Sequence, residues 1–99
     1  MKLWHDDWRP APDDTWEVAR TNEEAIAILR SGEVTQASLD FQLGNLGEDG
    51  LQLATAMVEL NLIPPRVNIH SWDGAGAAAM AIALTDGGCE FVSTEAADI

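Results

Sequence analysis

Short apolar runs of strand length alternate with longer stretches whose apolar residues recur at helical spacing, and this alternation restricts the fold more than any other feature. Residues 3–5 form the first run, which Asp6 and Asp7 stop. Pro10 and Pro12 in the following Arg9-Pro10-Ala11-Pro12-Asp13-Asp14 forbid a regular helix, so a loop is expected there. Trp16 and Val18 alternate with Glu17, the pattern of a further strand, at a sheet edge, over residues 16–20. Strands are also expected over 34–41, ending near Asp40, over 66–71 after Pro64-Pro65, and over 89–93.

Three helices separate the later strands. Thr21 with Glu24 has the spacing of a capping box, and Ala25, Ile26, Ile28 and Leu29 supply an apolar stripe before Gly32. Asp49 is placed to cap a second helix, in which Leu51, Ala54, Val58 and Leu62 recur with Leu53, Met57 and Leu60 beside them. Asp73 is placed to cap a third, running through Leu84 and closed by Gly87-Gly88, whose alanines let it sit close to a sheet. Between the first two helices, Gly44-Asn45-Leu46-Gly47 reads as a turn. The order β-β-α-β-α-β-α-β predicts an α/β domain with a mainly parallel sheet of about five strands and right-handed crossovers.

Ninety-nine residues suffice for one domain, expected over 1–94 with a short acidic tail at 95–99. The net charge of −12 repels phosphate backbones and anionic headgroups, which excludes binding to duplex nucleic acid or a membrane surface by charge. With 46% hydrophobic residues but no run of 18 apolar ones, neither disorder nor a membrane span fits. Cys89 is the sole cysteine, so no intramolecular disulfide can form, and a reducing, cytoplasmic setting is expected, with no export signal at the acidic start.

In parallel α/β sheets, ligands gather at the carboxyl ends of strands, where strand order switches. Asp6 and Asp7 follow the first strand, Asp40 ends the third, and His70 and Ser71 end the fourth. Three carboxylates on one rim suit a hard divalent cation such as Mg²⁺; without one they repel each other unless Arg9 relieves them. The competing reading has the aspartates capping loop amides. His70 is either a general acid or base or a hydrogen-bond partner of a neighbouring loop. Ser71 is either a phosphate ligand or nucleophile or, the favoured reading, a cap for the next helix. His5 reads as packing. Trp8 and Trp72 fall in the loops that flank the rim, as lids or as stacking surfaces for a base or a partner.

The chain resembles the cyclic-phosphate processing receiver domains, relatives of the response-regulator receiver fold. The matching pieces are Met1-Lys2-Leu3 with Asp6-Asp7-Trp8-Arg9-Pro10, Arg20-Thr21 with Glu24-Ala25-Ile26, Ser38-Leu39-Asp40 with Leu43-Gly44, and Pro64-Pro65-Arg66-Val67-Asn68-Ile69-His70-Ser71. The resemblance implies a flavodoxin-like, receiver-like three-layer sandwich with the first receiver helix replaced by the Pro-rich loop. It implies metal-dependent binding or hydrolysis of a cyclic phosphate or a phosphorylated nucleotide end. By position, Asp6, Asp7 and Asp40 would hold Mg²⁺ or another divalent cation, and Arg9, His70 and Ser71, with Asp40, would contact or act on phosphate.

The departures from the family pattern are specific. Phe41 and Gln42 stand where the family has His and Asp, which weighs against catalysis, and Trp8 replaces an acidic residue. Lys2 is the only lysine, so a receiver's lysine after the last strand has no counterpart, and aspartyl-phosphate signalling is not expected. The alternative from another class is a non-catalytic, small acidic interaction protein of the phage type that captures a host factor, reusing the fold and presenting Trp8 and Trp72 to a protein partner.

Overall fold

The computed structural model describes residues 1–44 and 47–94. The expected tail at 95–99, and the middle of the turn expected between Gly44 and Gly47, lie outside the described residues. Five strands form one sheet: β1 (Lys2–His5), β2 (Trp16–Ala19), β3 (Gln36–Leu39), β4 (Arg66–Ile69) and β5 (Phe91–Ser93). Three helices, α1 (Asn22–Leu29), α2 (Gly50–Glu59) and α3 (Gly74–Asp86), link the strands from β2 onward. Every strand pair is parallel, and the order is β2-β1-β3-β4-β5, so the expected α/β architecture is present with β2 at an edge.

The helix starts follow from their caps. Thr21 Oγ1 accepts from Glu24 N, while the Glu24 carboxylate takes the N–H of Arg20 instead of closing the box on Thr21. Asp49 and Gln52 form a full capping box at α2, and Asp73 Oδ1 accepts from Gly76 N at α3. Helix α2 ends at Glu59, three residues short of Leu62, because the chain turns through Asn61 in the left-handed region at φ 55°.

Strand order fixes the layers. The connections from β2 to β5 all run in one direction across the sheet, so right-handed crossovers put α1, α2 and α3 on one face. Leu3, Ala37, Leu39, Val67 and Ile69 bury against them together with Leu53, Met57, Met80 and Leu84. The β1-to-β2 connection runs the other way and therefore crosses the opposite face, where residues 6–15 form a loop instead of a helix. On that face Trp4 is buried, its Nε1 donating to the Arg9 carbonyl and its ring meeting Trp16 edge-on at 5.9 Å. Further along the same face Lys2, Gln36, Arg66, Asn68 and Phe91 line a shallow groove of about 700 Å³. Among the described residues no helix is long and apolar enough to cross a membrane.

Candidate metal and phosphate site

The ladder of the central strands continues one residue past their ends. Asp40 N donates to the His5 carbonyl and His70 N to the Leu39 carbonyl, which carries the register of His5, Leu39 and Ile69 forward to Asp6, Asp40 and His70. Strand side chains alternate between faces, so Asp6 shares the face of Trp4, Asp40 that of Ser38, and His70 that of Asn68. The three groups converge at the point where the strand order switches between β1 and β3. One ligand atom from each of Asp6, Asp40 and His70 lies within 4.8 Å of the others, and all three residues are buried.

The two carboxylates have opposite surroundings. Burial would raise the Asp6 carboxyl, but Oδ1 accepts the backbone N–H groups of Trp8 (3.0 Å) and Arg9 (2.8 Å) and Oδ2 faces His70 Nε2 (3.0 Å). With Arg9 Nε 3.1 Å away as well, the net effect holds Asp6 below the usual carboxylate range. Asp40 has few such donors. Burial and the Asp6 charge push it up to about 6 against the pull of Arg9, whose Nη2 is 3.8 Å from Oδ1. One carboxylate is thus held in its ionised form while burial and that charge push its neighbour toward the neutral form.

Burial pushes His70 down to about 4 despite Asp6, so the contact to Asp6 is a hydrogen bond from a neutral ring, not an ion pair. The ring stacks face to face on Trp4, 4.1 Å between centroids and 1° between planes. Arg20 holds the loop that supplies Asp6 and Arg9, its Nη1 donating to the carbonyls of both residues.

The remaining expected residues divide between rim and scaffold. Asp7 stands outside the trio: its Oδ2 accepts from Gly44 N at 2.7 Å, while its buried Oδ1 has no hydrogen-bond partner among the described residues. Ser71 Oγ accepts from the N–H of Asp73, the residue that caps α3, so Ser71 braces the turn before the helix and the cap itself is Asp73. His5 is buried against Asn22. Phe41, in place of an imidazole, packs its ring over Gly76 of α3, and Gln42 Nε2 donates to Asp73 Oδ2. Trp8 and Trp72 are 70% and 84% exposed. Ser38, Asn68 and Trp4 were not singled out as site residues from sequence, yet each stands two positions before a member of the trio, a signal that period-two alternation carried.

The donor set fits a divalent cation: two carboxylates and an imidazole within reach of one ion, with an unpartnered Asp7 oxygen nearby. Arg9 already places one positive charge against both Asp6 and Asp40.

A parallel sheet of this order, with paired carboxylates at the ends of its central strands, defines a receiver-like α/β domain. The chain belongs to the family of cyclic-phosphate processing receiver domains, whose model matches residues 1–86. Its fold is similar to that of the Francisella response regulator 1452 receiver domain, with a TM-score of 0.57, 15% identity, and coverage of 94% of this chain and 82% of that one. At that identity the likeness concerns the fold alone. No curated protein matches the sequence.

Proposed function

We propose that the rim binds a cyclic phosphate or a phosphorylated nucleotide end together with a divalent cation. The observation that carries this reading is the convergence of Asp6, Asp40 and His70 within 4.8 Å, with Arg9 against both carboxylates. A cation held by Asp6, Asp40 and His70 would neutralise phosphate charge and polarise a phosphoryl oxygen. Arg9 would hold a non-bridging phosphate oxygen through its guanidinium fork. For hydrolysis, water adds to phosphorus, one P–O ester bond breaks, and the departing oxygen takes a proton. With the cation held by Asp40, that carboxyl would stay ionised, and the proton for the departing oxygen would come from water. Phe41 and Gln42 supply no second imidazole or carboxylate, so the reading places binding first.

The test is a titration of the purified domain with Mg²⁺ and Mn²⁺, alone and with a 2′,3′-cyclic nucleotide, following tryptophan fluorescence and melting temperature. A saturable rise in both, lost in Asp40→Ala, is expected, since a ligand bound to the native state alone must stabilise it. No response at millimolar metal overturns the reading. The exposure of Trp8 and Trp72 beside the rim favours a second reading, a small acidic interaction protein that presents these rings to a protein partner. Partner binding abolished by Trp8→Ala and Trp72→Ala but kept by Asp40→Ala would replace the first reading with this one.

A further inference from the structure

Behind the rim, a buried hydrogen-bonded row runs from His70 into the sheet. His70 Nδ1 lies 2.7 Å from Ser38 Oγ, and Asn68 Nδ2 donates to the same hydroxyl at 3.3 Å. On the other side of the ring, Nε2 lies 3.0 Å from Asp6 Oδ2. An ionised carboxylate can only accept, so Nε2 must carry the proton and Nδ1 is then the acceptor. Ser38 resolves this arrangement: its hydroxyl donates to Nδ1 and accepts from Asn68, leaving each donor one acceptor. The direction of the row is fixed as Asn68 to Ser38 to His70 to Asp6.

We infer that Ser38, backed by Asn68, is the positioning residue of the site, holding His70 in the tautomer whose Nε2–H faces Asp6. Ser38 is 1% exposed and is no nucleophile. Its small size matters as well: it stands between Trp4 and Asn68 in the strand register, which leaves room for the His70 ring to lie on Trp4. The same hydroxyl can serve the opposite tautomer. When Nε2 gives its lone pair to a cation, Nδ1–H donates to Ser38 Oγ, and the hydroxyl proton needs an acceptor: the Asn68 amide turns over to present Oδ1, which is buried and has no partner among the described residues in the metal-free arrangement. This second half rests on the cation reading of the rim; the tautomer itself does not.

Long-range ¹H–¹⁵N correlation of the imidazole nitrogens tests the inference on the intact domain. The metal-free protein is expected to show His70 as a single Nε2–H tautomer. Ser38→Ala should keep Nε2–H on the Asp6 carboxylate but shift the Nδ1 resonance downfield, as an acceptor that has lost its hydrogen bond. Asn68→Asp, at a half-buried position, removes the donor and adds an acceptor for the Ser38 hydroxyl, and should bring a proton onto Nδ1 while Nε2–H stays on Asp6. An Nδ1–H ring in the wild type, or His70 nitrogen shifts unmoved by both variants, overturns the inference. With Zn²⁺ as a diamagnetic probe, the wild type should switch to Nδ1–H, and Ser38→Ala should weaken Zn²⁺ binding about 10-fold or more, the usual effect of losing a partner behind a metal-bound His. A wild type that binds no Zn²⁺ or Mn²⁺ while keeping Nε2–H overturns the cation reading and the switch, and leaves the positioning role standing. Binding of Zn²⁺ with no change of tautomer overturns the switch and spares the cation reading.

Discussion

Asp6 and Asp40 are the same residue type a few ångströms apart, and their surroundings give them opposite effects on stability. Asp6 satisfies two backbone N–H groups and His70 and stands 3.1 Å from the Arg9 guanidinium, so Asp6→Ala strands three hydrogen-bond donors and removes the counter-charge of Arg9. A loss of about 3 kcal/mol or more is expected in urea unfolding at pH 7. Asp40 is ionised against burial and against the Asp6 charge. Asp40→Asn is therefore expected to stabilise the fold at pH 8, by up to about 3 kcal/mol, and to change nothing near pH 4, where Asp40 is already protonated. An Asp40→Asn protein no more stable than wild type at pH 8 would show that Arg9 already compensates the charge. Asp6, Asp40 and His70 were all legible as strand-end polar residues. The pairing of Ser38 with His70 was not, because it joins residues 32 apart in the chain and exists only through strand register.

At the scale of elements, the site depends on how closely helices approach strand ends. A Cβ built on Gly50, the first residue of α2, would fall 2.1 Å from the Asp40 carbonyl oxygen and 2.7 Å from Met80. Gly50→Ala must push the helix away from the end of β3 and move Asp40 with it. The expected result is a fall in stability of about 2 kcal/mol, together with weaker metal binding than at an equally destabilised site far from the rim. Unchanged Mn²⁺ affinity in Gly50→Ala would show that Asp40 is held independently of α2. The three helices, their cap residues and the strands between them were all readable, since caps and periodicity depend on residues within about four positions. Helix ends were less so: Leu62 fits the apolar stripe of α2 yet lies past its end, because Asn61 turns the chain. The close fit of Gly50 was invisible, as a glycine at a helix start looks the same whether its missing side chain faces solvent or a carbonyl.

For the whole molecule, the perturbed groups set the pH profile. Folded Asp40 titrates near 6 against an ordinary 3.8, so between those pH values the folded state binds more protons and stability falls as pH rises. Folded His70 titrates near 4 against 6.5, so there the unfolded state binds more protons and stability rises with pH. The two slopes oppose each other between about pH 4 and pH 6. The wild type should show little net dependence from this pair in that window, and Asp40→Asn should expose the rising His70 slope. Urea unfolding at pH 4, 5 and 6 measures both; equal pH dependence in the two proteins would refute the assignment. Below this window stability is lost as the depressed Asp6 carboxyl becomes protonated.

The sequence by itself determined the element order, the parallel sheet, the caps and the net charge of −12. These follow from local periodicity and from a sum over residues, neither of which needs to know what lies across the fold. Tertiary structure alone decided that Asp6 is locked ionised while Asp40 is not, that Asp7 turns away to Gly44, and that Ser38 sets the His70 ring. Those outcomes depend on which backbone N–H groups, charges and hydroxyls come within about 3 Å of each other. Strand order and register bring them there, from segments that local sequence leaves independent.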